Sequence, residues 1–417
     1  KFYVQSACEL RSLDSNPSRC LQDPREMELT TFDFETVIER HGTESAKWSR
    51  YAPDVMPMWV ADMDFSPDPG IIAAIRDRLD HPMLGYGIPT DDLRSTLVSA
   101  MFRDYGWSIE PDALVFLPGV EPGFNMALRS FLAHGDGVVL ETPVYKALLV
   151  APEFCRLRRL DVPLQPDGHG RWRSEPARLE QAAARAKALL LCNPQNPTGR
   201  VMTRSEVECL ADTCLRNNLV VISDEIHCGL TLDGREHVPI ASLSREIGKK
   251  TITLMAASKT WNIAGLKAAF AIIPDGEMRS KFAAARAGMV DSVNILGLVA
   301  MKYAYANGEK WRKAVTLQLA ENRDLLQSIV RRAMPEAGMI PAEGSYLGWA
   351  DFGRYGLPAA PSKFFLENAK VALSDGAEFG AGYENWVRIN FGCPPAMLRD
   401  CLDRMEKAIN RQSPSAK

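Results

Sequence analysis

Three polar side chains and one glycine turn in this chain of 417 residues follow apolar runs closely enough to be delivered together. Asp224 comes directly after "LVVIS" (219–223), Asn196 after "ALLLC" (188–192), and Lys259 after "TITLMA" (251–256). The turn is in "GVEPGFNMALRSFL" (119–132), after "ALVFL" (113–117). Lys259, inside "MAASKTWNIAGLK" (255–267), is either a surface lysine at a helix start or an amine held in a pocket. In a pocket, partial desolvation would leave a useful neutral, nucleophilic fraction. Asp224 is either a helix cap or a buried carboxylate that needs a partner. The glycine turn is either a plain Gly-Pro turn or a helix start whose unpaired N–H groups hold an anion. "NPQNPTGR" (193–200) is by itself a loop. Together these parts supply an amine, an acid, a polar amide and an anion site. Pyridoxal phosphate needs that set: a lysine for the Schiff base, an acid for the pyridinium nitrogen, and a cradle for the phosphate.

The elements that must position these groups form a rhythm. The apolar runs above, with "GVVLE" (137–141) and "AAFAII" (268–273), read as buried strands. Segments such as "SEVECLADTCLRNN" (205–218) between them have helical periodicity. Strands alternating with helices predict an α/β fold, a mostly parallel sheet covered on both faces. Ligands of such sheets sit beyond the carboxyl ends of the strands, where the polar residues fall.

Bulk properties exclude other classes. Apolar residues make up 46% and charged residues 24%, as in an ordinary globular protein. A net charge of −3 offers no basic field for nucleic acid. Nine cysteines without a C-x-x-C pair predict reduced thiols and a cytoplasmic setting, with no structural zinc. Six histidines without H-E-x-x-H predict no metal site. No apolar run approaches the ~18 residues of a membrane span. Residues 1–30 lack a signal-like apolar core and are expected to be an extension with a processed end.

The motifs in order resemble a known family. "MPMWVADMDF" (56–65), preceded by "FDFETVIERHGTESAKWSRY" (32–51), resembles the cystathionine β-lyase branch of the class I/II aminotransferases, which includes the maltose-regulon modulator. The likeness runs on through "GYGIP" (85–89), "PGVEPGFNMAL" (118–128), "ETPVY" (141–145), "CNPQNPTGR" (192–200), "SDEIHCGL" (223–230), "ASKTWNIAGLK" (257–267), "EGSYLGW" (343–349) and "VRINFGCP" (387–394). It implies the fold type I pyridoxal-phosphate transferase architecture, a mostly parallel seven-stranded sheet in a large domain plus a smaller α+β domain. The large domain would be 85–290. The small domain would combine 31–84 with 291–417, with strands "SYLGWAD" (345–351), "KVALSD" (370–375) and "WVRINF" (386–391).

The resemblance also implies roles. Lys259 would form the Schiff base and move protons, and Asp224 would pair with the pyridine nitrogen. Asn196 would bond the phenolic oxygen, with His227 nearby, although His227 also reads as a satisfied core histidine. Tyr145 would lie on the ring face. Gly119, Val120 and Glu121 would hold the phosphate, with Ser258 adding a hydroxyl. Arg388 would clamp the substrate carboxylate, for which a planar fork is suited. Trp59 would line the substrate site or merely pack. Tyr86 would reach a neighbouring subunit's site, so a homodimer with shared sites is implied. Tyr105 and Tyr346 have no comparable claim. The implied reaction is α,β-elimination from an S-substituted cysteine, giving thiol, pyruvate and ammonia. A transaminase, a decarboxylating or oxidative enzyme on the same scaffold, and a regulatory protein-binding role are the alternatives. Two positions depart from expectation. Lys267 stands where many aminotransferases carry a phosphate-gripping arginine. Glu121 would repel phosphate if it pointed inward, so it is expected to face outward and complement the helix dipole. Gly265 is expected to allow close packing of the turn after Lys259.

Overall fold

The structure is a computed structural model that describes residues 32–167, 170–287, 289–290 and 292–412. The expected extension, 1–30, lies outside the described residues. A large sheet contains β1 (Leu114–Leu117), β2 (Gly137–Thr142), β3 (Arg158–Pro166), β4 (Trp172–Ser174), β5 (Ala188–Cys192), β6 (Val220–Asp224), β7 (Thr251–Met255) and β8 (Ala269–Ile272). Their spatial order is β1-β8-β7-β6-β5-β2-β3-β4. The pairs from β7 through β6, β5 and β2 to β3 are parallel. Those of β8 with β1 and β7, and of β4 with β3, are antiparallel.

The central strands are buried along almost their whole length because both their faces are covered. Helix α1 (Asp91–Tyr105) precedes the sheet; Val138, Leu140, Leu190 and Ile222 face one core, with α2 (Val120–Phe131) packed there. Val139, Leu189, Leu191 and Val221 face the other, with α3 (Arg204–Arg216). The period of two is thus present in structure though hidden in the sequence pattern. Thr203 and Glu206 start α3 with a reciprocal capping box.

The sheet has eight strands, not the expected seven. The additional edge strand, β4, spans three residues and carries too little apolar pattern to be read from sequence. Trp172 on it packs with Trp349, Phe379 and Tyr383. Gly265 is also corrected: a Cβ there would meet open space. The close approach is at Gly297, where a Cβ would lie 2.6 Å from the Leu266 carbonyl.

A second sheet is antiparallel: β9 (Gly338–Ile340), β10 (Leu347–Asp351), β11 (Ser374–Asp375) and β12 (Trp386–Asn390), in the order β9-β10-β12-β11. It shares a core with α4 (Ile295–Asn307), α5 (Glu309–Ala333) and α6 (Pro395–Gln412). An N-terminal strap, 58–65, crosses between the sheets. Asn262 fixes it, accepting from the Met63 N–H at 2.9 Å and donating to the Met63 and Phe65 carbonyls at 2.9 and 2.8 Å. A buried ion pair, Lys47–Asp64 at 2.6 Å, anchors it from the other side. Among the described residues no helix is long and apolar enough to cross a membrane.

Candidate active site

β1, β5, β6 and β7 run in one direction, since β1 and β7 are both antiparallel to β8. Their carboxyl ends open on a cavity of about 610 Å³. Lys259, Asp224, Asn196, His227, Gly119, Val120, Glu121, Tyr145, Ser258 and Arg388 all line it. Trp59 does not, and Tyr86, expected at a neighbouring subunit's site, lies outside this one. Tyr86 is 87% exposed on the surface. Trp59 stops short of the cavity, its ring packed on Tyr51 and Arg50. Its contribution is its carbonyl, which accepts from Arg388 Nη2 at 2.8 Å.

Lys259 sits on the short helix Ala257–Thr260 that begins just after β7. Its stem borders the cavity, so it is only half-buried by surface, yet protein closes around the amine. Nζ donates to the Ala61 carbonyl at 2.5 Å, and Tyr346 Oη donates to the same carbonyl at 3.0 Å. Burial is the main force that lowers the amine's pKa to about 8, and the positive charge of Arg388 adds to it. Asp62 and Asp224 pull the other way.

Asp224 ends β6, accepts from the Ile226 N–H at 3.1 Å, and is buried. Burial raises its carboxyl to about 7, against the lowering effects of that N–H and of Lys259. A carboxylate held this way is short of a cation, which a pyridinium nitrogen would supply. His227 is buried and lowered to about 3, first by burial and then by the charges of Lys259 and Arg388, so it is neutral. Its Nδ1 is 3.0 Å from Ser345 Oγ and its ring meets Tyr346 edge-on. It is therefore both a satisfied histidine and a wall of the cavity.

Arg388 rises from β12, in the second sheet, and is buried. Nη1 donates to Asn196 Oδ1 at 2.9 Å, and Nη2 donates to the Trp59 carbonyl and to Ser374 Oγ. None of these partners is an anion, and Nε has no partner. Burial lowers its pKa to about 10, which still leaves it cationic at neutral pH. A buried charge without a counter-charge is costly. A bound carboxylate would remove that cost.

At the opposite wall, α2 begins after the extended Gly119, with no side-chain cap on its first turn. Its N-terminal N–H groups and positive dipole end are therefore left to a ligand. Glu121 is exposed, as expected, but it stands on the cavity rim rather than turned fully away. Its negative charge, after burial, helps raise the phenol of Tyr145. Lys267, in a left-handed backbone conformation at φ 51°, also lines the cavity. The uncapped helix start, the carboxyl without a cation and the lowered lysine are spaced around one cavity. These residues fit pyridoxal phosphate.

Sequence reading passed over three contributors. The Ala61 carbonyl has no side-chain signal. Tyr346 and Ser345 lie in the quoted "EGSYLGW" motif, which reads equally well as a strand. Tyr346 hydrogen-bonds directly to the Ala61 carbonyl that accepts from Lys259.

Residues 53–405 match the family described as aminotransferase class I and II. The chain is similar to cystathionine beta-lyase PatB of Bacillus subtilis, at 35% identity over 91% of this chain and all of that protein. It is similar to protein MalY of Escherichia coli, at 32% identity over 91% of this chain and 99% of that protein. Its structure resembles cystalysin from Treponema denticola, which contains a pyridoxal 5'-phosphate cofactor. The TM-score is 0.88, at 31% identity over 92% of this chain and all of that one.

Proposed function

We propose that this chain, which belongs to the aminotransferase class I and II family, is a pyridoxal-phosphate-dependent C–S β-lyase acting on an S-substituted cysteine. The observation that carries an amino-acid substrate is Arg388, a buried guanidinium with no anionic partner, across one cavity from a lysine lowered to about 8. The choice of elimination is supported by the likeness to cystathionine beta-lyase PatB.

When bound, pyridoxal phosphate supplies the electron sink that lets the α-proton and the β-thiolate depart. The chain's own residues do the rest. Lys259 would carry the cofactor, and its amine is the base that takes the proton from Cα. Asp224 holds a proton at the pyridine nitrogen by its negative charge. The first turn of α2, with Ser258, holds the phosphate. Arg388 binds the substrate carboxylate through its guanidinium, fixing which Cα bond faces Lys259. Asn196, tied to Arg388 at 2.9 Å, couples the carboxylate clamp to the cofactor side of the cavity. The C–S bond then breaks, and its electron pair leaves with sulfur as a thiolate that accepts a proton from Lys259 or from Tyr86 of a second copy. The remaining three-carbon enamine hydrolyses to pyruvate and ammonia.

The second copy belongs to the same reading. Met83, Leu84, Tyr86 and Ile88 are 57–87% exposed in one short segment, an apolar patch suited to a homodimer contact. The reading also divides the chain into 85–290, which holds the large sheet, and 31–84 with 291–417, which hold the small one. A cytoplasmic, reducing setting suits the described cysteines, all of which are free. The decisive assay incubates the enzyme with an S-substituted cysteine and no keto acid. Thiol and pyruvate in equal amounts are expected; turnover only with a keto acid acceptor would make the protein an aminotransferase instead.

A further inference from the structure

Arg388 on β12 stands opposite Trp349 on β10 and Ser374 on β11. Directly opposed residues point to one face of a sheet, so these three side chains share a face. Trp386, two residues back on β12, joins them there and stacks on Trp349 at 5.4 Å and 18°. From the end of β11 a single turn of helix, Gly376–Phe379, folds back over this face. Asp375 caps the turn, accepting from the Ala377 N–H at 3.0 Å. Residue 376 has to be glycine, because a Cβ there would collide with the Tyr383 and Trp386 carbonyls. The fold-back delivers the buried Phe379 ring across the Arg388 guanidinium, with Cζ 5.0 Å from the ring centroid. Trp349 backs that ring at 5.2 Å and 66°.

The guanidinium's polar partners, Asn196 Oδ1, the Trp59 carbonyl and Ser374 Oγ, are all neutral. Glu378, a carboxylate whose charge reaches Arg388, is turned to Lys146 at 2.6 Å. An aromatic face carries partial negative charge, so Phe379 favours the cation without occupying an N–H. An acid in its place would neutralise Arg388 and compete with the substrate carboxylate. The ring also limits how far the planar fork can tilt, and a carboxylate is bound in the plane of that fork. The backbone of the same residue reaches the large sheet. The Phe379 carbonyl accepts from the Val144 N–H at 2.9 Å, and Tyr383 Oη donates to the Thr142 carbonyl at 3.2 Å. Tyr145, on the cavity wall, follows Val144 directly. Phe379 therefore joins the arginine of the small sheet to the turn that presents Tyr145.

We propose that Phe379 is a positioning residue for the substrate carboxylate, acting through Arg388: its ring fixes the plane of the guanidinium, and its carbonyl ties that plane to the Tyr145 turn. The proposal rests on Arg388 being the carboxylate clamp. Without the ring the guanidinium spends part of its time out of position, and apparent affinity falls by the fraction still in place. Holoenzyme is titrated with S-methylcysteine and with its decarboxylated analogue, S-methylcysteamine, and affinity is read from the change in cofactor absorbance. The ratio of the two affinities is the carboxylate preference, which is read whether the bound amine goes on to elimination or to transamination. Phe379→Leu should lower the preference by about threefold to thirtyfold, the span of a desolvated cation–π contact. Replacing Phe379 with 3,4,5-trifluorophenylalanine keeps the ring's shape and weakens its face, so it should lower the preference partway even if the leucine variant folds poorly. In an Arg388→Ala background neither change should move the ratio. A preference that needs Arg388 but is equal across the Phe379 series, or a loss shared equally by both ligands, makes Phe379 ordinary packing and overturns the proposal with the clamp intact. No carboxylate preference in the wild type overturns the clamp itself, and the proposal with it.

Discussion

Replacing Arg388 with alanine should lower kcat/KM for an S-substituted cysteine by about 10² to 10⁴. The magnitude follows from the donors left over once the protein's own bonds are counted. Asn196 Oδ1, the Trp59 carbonyl and Ser374 Oγ occupy part of the fork, and Nε is unmatched. A carboxylate in the cavity can take up to two N–H groups of the guanidinium. Two charge-assisted hydrogen bonds at ~1.5–3 kcal/mol each give about 3–6 kcal/mol, and each 1.4 kcal/mol is tenfold. Arg388→Lys should fall between, because it keeps the charge and loses the planar fork. The assay is initial rate of pyruvate release at subsaturating substrate, run beside a decarboxylated analogue of the same thioether that has no carboxylate. The wild type should discriminate strongly in favour of the amino acid, and the alanine variant should lose that discrimination. If Arg388→Ala stays within tenfold of wild type, or discriminates as well as before, the guanidinium is a structural charge and the clamp is elsewhere.

Three further outcomes follow from the same cavity. Cofactor capture by the apoprotein requires a neutral Lys259, so its rate should rise with pH and level off above about 8 rather than above the 10.5 of an ordinary lysine; stopped-flow absorbance would reveal it, and Lys259→Ala should remove both the absorbance and turnover. Asp224 in the apoprotein holds its proton up to about 7, whereas the unfolded chain loses it near 3.8, so apoprotein stability should fall as pH rises across that window. Asp224→Asn should flatten that slope in urea titrations and cut turnover by about a thousandfold or more, since it removes the charge that keeps the pyridine nitrogen protonated; equal slopes for the two apoproteins would contradict the burial argument. Tyr346→Phe removes one of the two donors to the Ala61 carbonyl, and should cost about 1 kcal/mol of stability with less than a tenfold loss of turnover; a thousandfold loss would make Tyr346 a proton donor.

How much of this site is legible in the sequence depends on what kind of contact each residue makes. Asp224, Asn196 and Lys259 announce themselves because a polar residue ends an apolar strand, and a sheet covered on both faces leaves such a residue only its carboxyl edge. Arg388 is legible for a related reason, as a charge inside "WVRINF". What makes these residues reactive is a different matter. The lysine is lowered by burial first and by Arg388 second, and Arg388 is 129 residues away on another sheet. Its amine is held by Ala61, a backbone carbonyl whose side chain is irrelevant, on a strap that Asn262 and Lys47 pin in place. No local pattern encodes a carbonyl's position. The eighth strand is invisible for a simpler reason, since three residues, of which only Trp172 is buried, do not establish a period. The same distinction separates the catalytic cavity from a second one, of about 340 Å³, lined in part by Cys228. The catalytic one is made of strand ends, which sequence periodicity locates. The second is made of Arg204 at a helix start, Arg312 on α5 and His237 in a loop, joined only by folding, and the two unmatched nitrogens of these residues, Arg312 Nε and His237 Nδ1, exist only in three dimensions. A cavity of that second kind is found by asking where each buried polar atom goes, and that question has no answer before the chain is folded.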